Sequence, residues 1–157
     1  MKITLLCTGK TDSKYLAEGI TVYEKRLAKY ADFTIKYIMD VKNASKLPVA
    51  QLKQNEGDRI LEMIKPTDWV VLLDERGDET SSVAFAKQIE QCMLRSVKHL
   101  IFVIGGAYGF SDAVYARANI KISLSKMTFS HLMVRLIFLE QLYRAFTILN
   151  GEPYHHE

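Results

Sequence analysis

At 157 residues the chain fits one domain and can bury about 70% of its unfolded surface. With 48% hydrophobic and 25% charged residues, a net charge of +3 and no apolar run near the ~20 residues of a membrane span, it is neither disordered nor transmembrane, and an anionic partner is allowed rather than demanded. Two cysteines without a CxxC spacing, and an apolar opening too short for a signal peptide, describe a cytoplasmic protein with buried thiols at Cys7 and Cys92.

Apolar strands and amphipathic helices alternate along the chain. The pattern predicts a strand over 3–8, a helix over 13–30 and a strand over 33–39, then a mobile surface loop over 40–46. A helix over 49–64 lies between Pro48 and Pro66, followed by a continuous apolar strand over 69–73, a polar loop over 74–81 and a helix over 82–95. A second continuous apolar strand spans 99–104; a glycine-rich loop, a short helix over 111–117 and a strand over 120–124 follow. The last helix, over 129–149, is apolar on nearly every side and stops at Asn150-Gly151. Strands apolar on both faces and separated by helices indicate an α/β fold: one single-domain parallel sheet covered on both sides, spanning residues 1–157.

Several motifs bear on chemistry. Gly9-Lys10-Thr11 follows the first strand but lacks the earlier glycine of a phosphate-binding loop, so a plain strand-to-helix turn is the better reading. Gly105-Gly106-Ala107-Tyr108-Gly109 follows a buried strand without the GxGxxG spacing of a dinucleotide site. Leu73-Asp74-Glu75-Arg76-Gly77 ends another strand. With the loop from Leu124, these segments follow the third, fourth and fifth strands and are expected to open at one sheet edge as a pocket. On the terminal helix, a rotation of about 100° per residue puts His131 and Arg135 on one stripe, and Glu140, Arg144 and Thr147 nearly opposite. The first stripe suggests a site and the second a structural Glu140–Arg144 ion pair. The four histidines have no accompanying cysteine or carboxylate pattern, so no metal is expected.

In their order and spacing, LDERG…SS from Leu73, FVIGGAYGF from Phe102, and LSKMTFSH…R…EQLYRAF…G…PYH from Leu124 resemble the RlmH family, as do the MKITLL opening and YEKRL from Tyr23. The resemblance spans essentially the whole chain. It implies a SPOUT fold with a C-terminal trefoil knot, a homodimer, S-adenosyl-L-methionine as methyl donor, and methylation of N3 of a pseudouridine in bacterial 23S ribosomal RNA. It assigns Leu73, Gly105, Leu124, Ser125, Lys126, Met127, Thr128 and Phe129 to the donor, and it places a Tyr-His pair in the tail at Tyr154 and His155. The family usually has proline where this chain has Ser130, which as a helix cap preserves initiation.

An imide nitrogen must lose a proton as it attacks, which requires a base or stabilising cations. The candidates are His131, Arg135, Tyr154 and His155. The tail over 153–157 is expected to act in catalysis and to add little to the core, and an outward residue such as Leu142 is expected at the dimer interface. With no appended RNA-binding domain and a modest charge, an assembled ribosome is the expected substrate. Alternatives are a SPOUT enzyme acting on another nucleotide, a nicotinamide-dependent enzyme (with no recognisable acidic ribose partner), or a non-catalytic RNA-binding module.

Overall fold

The computed structural model describes residues 1–156. Five strands, β1 (Lys2–Thr8), β2 (Asp32–Ile38), β3 (Trp69–Glu79), β4 (His99–Ile104) and β5 (Ile120–Ser123), form one sheet in the order β2-β1-β4-β3-β5. Every pairing is parallel. The helices are α1 (Lys14–Leu27), α2 (Val49–Glu62), α3 (Ser82–Leu94), α4 (Asp112–Arg117) and α5 (Met133–Leu149).

Alternation along the buried strands divides the core. Ile3, Leu5, Cys7, Leu100, Phe102 and Ile104 join the layer that includes Phe85 of α3 and Phe138, Leu139 and Leu142 of α5. Leu6, Val70, Leu72, Ile101 and Val103 join Ile60 of α2 and Val114 of α4 on the other face. Phe102 and Phe138 meet with ring centroids 4.8 Å apart. Phe138, Leu139 and Leu142 are each 0% exposed, and burying such a side chain contributes about 1.5–3 kcal/mol. Leu142 is therefore core, not an outward residue. Thr147 is also fully buried, its hydroxyl donating to the Arg144 carbonyl at 2.7 Å. Residue Cys7 is sealed in, and burial pushes its thiol up to about 12, against the opposing pull of Arg135.

Beyond shifts of a few residues at helix and strand ends, three features depart from the sequence pattern. Strand β3 runs on to Glu79: Leu73 and Asp78 both register with Ile122, so the residues between bulge out and return to the same strand. Gly77 permits that return, because a Cβ there would lie 2.6 Å from the Ile122 carbonyl carbon. Helix α5 begins at Met133; Ser130 caps the preceding turn, its hydroxyl accepting the Met133 N–H at 3.1 Å. The loop over 40–46 is anchored, with Val41 buried and Arg59 Nη1 donating to the carbonyls of Met39 at 2.6 Å and Asp40 at 2.9 Å.

Candidate active site

Because β4, β3 and β5 are parallel neighbours, the loops leaving their carboxyl ends converge. They enclose a cavity of about 370 Å³ whose walls include Leu73, Gly105, Leu124, Ser125, Met127, Thr128, Phe129 and His131. Seven of the eight residues read as donor-binding thus line one space. Lys126 is exposed and lies outside the lining. The loop after β5 is shaped by serines: Ser123 Oγ donates to the Ser125 carbonyl at 2.9 Å, and Ser125 Oγ accepts the Met127 N–H at 2.9 Å.

Two wall features escaped the sequence pattern. Gly105 lies against the ring of Phe110, so close that a Cβ would sit 2.9 Å from Phe110 Cε1. Tyr115 of α4 donates its hydroxyl to Asp74 Oδ2, while Asp74 Oδ1 accepts the Arg76 N–H at 2.7 Å. That carboxylate ties the β3 loop to α4 at the rim. Burial and the Asp74 bond push the Tyr115 phenol up to about 12, so it remains a donor at neutral pH. Removing it leaves a charged acceptor without its partner, a loss of about 1.5–3 kcal/mol in a loop the cavity needs. Tyr115→Phe is therefore expected to weaken S-adenosylmethionine binding about tenfold by calorimetry. Unchanged affinity would show that the rim is held by other means.

His131 and Arg135 separate in role. His131 lines the cavity and keeps part of its ring at the surface. Partial burial and then the neighbouring Arg135 lower its pKa below the ordinary histidine value, opposed by Asp12 and Asp40. The imidazole is accordingly neutral at pH 7. Arg135 is 1% exposed and lies outside the lining. Its Nη2 donates to the Thr8 carbonyl at 2.6 Å, Nη1 to Thr11 Oγ1 at 2.9 Å and Nε to the His131 carbonyl at 3.1 Å. These bonds join the end of β1 to the start of α5 and occupy the Arg135 guanidinium within the fold, away from the cavity lining.

The tail is docked, contrary to the expectation that it adds little to the fold. Tyr154 donates to Glu140 Oε1 at 3.0 Å, and Arg144 Nη2 donates to the same oxygen at 2.6 Å. The Arg144 guanidinium lies 4.7 Å over the Tyr154 ring, which meets Tyr143 edge-on at 4.8 Å. His155 Nδ1 is 3.4 Å from Arg144 Nη1. Just before the tail, Tyr30 of the α1–β2 turn donates to Glu152 Oε2 at 2.7 Å. Burial, then hydrogen bonds to Tyr23 and Glu140, raise the Tyr154 pKa well above the ordinary phenol value. Tyr154 can thus donate or stack, but it does not take up a proton. The predicted Glu140–Arg144 pair is present, and it holds the tail. Helical rise puts this cluster roughly 15 Å or more along α5 from His131. One protomer therefore does not bring together the four residues read as catalytic.

Among the described residues, no group of three or more His, Cys, Asp or Glu could hold a metal ion, and no helix is long and apolar enough to cross a membrane. A sequence profile described as "Predicted SPOUT methyltransferase" matches residues 1–155. The chain is 55% identical over 157 residues to the ribosomal RNA large subunit methyltransferase H of Parabacteroides distasonis, covering 100% of both chains. The protein of the same name from Flavobacterium psychrophilum is also 55% identical with 100% coverage of both, and that from Christiangramia forsetii is 55% identical over 99% of each. These matches run over essentially the whole chain, including the parallel sheet and the loops that bound the cavity at its carboxyl edge: the chain belongs to the SPOUT methyltransferase family.

Proposed function

We propose that this protein transfers a methyl group from S-adenosyl-L-methionine to N3 of a pseudouridine in 23S ribosomal RNA, on the assembled ribosome in the cytoplasm, and that it works as a homodimer with a knotted C-terminal part. The observation that carries this reading is the cavity where the three loops meet, in a chain matched over its full length by large-subunit ribosomal RNA methyltransferases. The knot is carried by the family resemblance, and the return of β3 onto Ile122 ties the segment after Leu73 to β5.

The cavity suits the donor. Its volume of about 370 Å³ falls within the range of small-ligand pockets, and Gly105 lets backbone approach closely. Leu73, Gly105, Leu124, Ser125, Met127, Thr128 and Phe129 would hold S-adenosylmethionine, which supplies an activated methyl group. The protein then has to align the acceptor nitrogen and remove its proton. His131 is the group for the second task, being neutral near pH 7 and at the cavity wall.

The same assignment fixes a pH dependence. A base works only when deprotonated, and the His131 pKa lies below the ordinary value of about 6.5. Single-turnover methyl transfer is expected to fall as pH drops through a midpoint below 6.5, and His131→Gln should remove that limb. An unaltered acid limb in the variant would transfer the role of base elsewhere.

Tyr154 and His155 complete a site only if a second copy supplies them. Two protomers packed with α5 antiparallel would bring the tail of one to the His131 end of the other. A part-exposed stripe of α5 suits such contact: Met133, Ile137 and Arg144 follow one another at four- and seven-residue spacing, and none is fully buried. Ile137→Glu is expected to yield monomers by light scattering that bind S-adenosylmethionine yet do not methylate ribosomes. Mixing and refolding His131→Ala protein with a variant lacking 154–157 should restore transfer that neither shows alone. A stable, active wild-type monomer would end this part of the reading.

The whole proposal is tested by methylation of free 23S rRNA, large subunits and whole ribosomes, with calorimetry of S-adenosylmethionine against NAD. Donor binding with transfer to ribosomes is the expected result. Donor binding with transfer to a different nucleotide would move the target, and no donor binding would leave a non-catalytic RNA-binding module.

A further inference from the structure

Beside the cavity, the same sheet edge carries a second surface that the transfer chemistry does not use. β1 and β2 are parallel neighbours in register from Lys2↔Asp32 to Thr8↔Ile38, and the Gly9 N–H continues the pairing onto the Ile38 carbonyl at 2.8 Å. The loop after β1 and the loop after β2 therefore emerge side by side. They face the same way as the cavity loops because the sheet is wholly parallel.

These two loops concentrate cations and exposed rings. Lys10 on the first loop, Lys14 at the start of α1 that follows it, and Lys42 and Lys46 on the second loop are all exposed. Asp12 and Asp40 are the acidic residues among them, so residues 9–15 and 39–46 together carry two of the chain's three net positive charges. The Asp40 carboxylate is turned against Gly9, where a Cβ would lie 2.5 Å from Oδ1. Tyr15 is 64% exposed, Met39 76% and Tyr37 41%. A soluble protein seldom sets large apolar side chains among lysines without a partner that uses both. Rings that stack with cations that track a backbone are the chemistry of a single-stranded nucleic acid.

A rigid link ties this surface to the cavity. Arg135 bonds Thr11 in the first loop and the carbonyl of His131, and its guanidinium lies 5.9 Å from the Tyr37 ring centroid. A strand lying on the loops is thus held at a fixed offset from His131.

We infer that residues 9–15, the loop after β1 with the first turn of α1, and the loop over 39–46 form an RNA platform that grips the strand flanking the target nucleotide, with Lys10, Lys14 and Lys42 on its phosphates and Tyr15 as a stacking surface. The inference rests on the proposal that the substrate is ribosomal RNA. The platform supplies affinity and register for a target presented by the ribosome, and it plays no part in donor binding or proton removal.

The test compares wild type with Lys10→Gln/Lys14→Gln and with Tyr15→Ser, each checked for wild-type oligomeric state and donor affinity. Methylation of whole ribosomes is followed at several salt concentrations, together with binding to a 23S rRNA fragment around the target. KM for ribosomes is expected to rise about tenfold for the lysine variant while kcat stays within about twofold, and the salt slope of RNA binding should fall by about two. Tyr15→Ser should raise KM with little change in slope. Unchanged KM in both variants overturns the inference, as does weaker ribosome binding with unchanged RNA binding, which would make the surface a protein contact. An altered oligomeric state also overturns it, by assigning the loops to the dimer. A wild-type protein that methylates no ribosome would instead refute the RNA reading itself.

Discussion

Gly105→Val is expected to abolish S-adenosylmethionine binding while leaving a folded protein. A Cβ at this position would stand 2.9 Å from Phe110 Cε1, and Phe110 has little room to retreat, being 3% exposed and packed edge-on against Tyr115 at 5.7 Å. The branched side chain must displace the ring or enter the cavity. Overpacking of this kind costs about 1–3 kcal/mol of stability, which a domain of this size survives. If the donor is held against Gly105 as proposed, it loses that backbone approach, and its affinity should fall at least about 100-fold, or roughly 2.7 kcal/mol. Calorimetry beside a thermal melt checks both halves. Wild-type affinity in a folded variant would remove Gly105 from the donor site.

Arg135→Ala is expected to produce the largest loss of stability. The guanidinium is buried, and it serves acceptors on β1, the first loop and the turn before α5. Truncation strips donors from one buried and two part-buried acceptors, at about 1–3 kcal/mol each for the buried kind and less for the others, and leaves a cavity. The sum is about 3–5 kcal/mol, or roughly a 10 °C fall in Tm. Methyl transfer should fall with it, because His131 loses the bond that fixes its carbonyl. A variant with wild-type Tm and no transfer would instead return Arg135 to the reacting groups.

The architecture was legible because parallel strands covered on both faces read as unbroken apolar runs, as 69–73 and 99–104 do. Once those strands were ordered by their intervening helices, the convergence of the loops from Leu73, Gly105 and Leu124 followed from topology. Residues 74–79 were harder. They carry Asp74, Glu75, Arg76, Asp78 and Glu79, and the strand's backbone pairing resumes at Asp78 and Glu79 with a segment far away in sequence. Leu142 misled for a different reason: a helix apolar on every side offers no periodicity from which to choose its buried face. Tyr115 and Phe110 gave no signal beyond ordinary composition, since their roles arise from contacts across the fold. The tail's anchoring likewise depends on Glu140 and Tyr143 being turned toward it.

The pairing of Ile122 with both Leu73 and Asp78 sets an order of events during synthesis. Residues 73–79 are synthesised before Ile122, so the bulge must wait without its pairing partner. Charged residues suit that interval: Asp74, Glu75, Arg76 and Asp78 keep the waiting segment hydrated, where an apolar one would collapse onto the exposed edge of β3. Closure around Ile122 then becomes a late step that couples two distant parts of the chain. In pulse-labelled hydrogen exchange during refolding, amides of β1 and β4 should gain protection first, and those of 78–79 and 122–123 together and last.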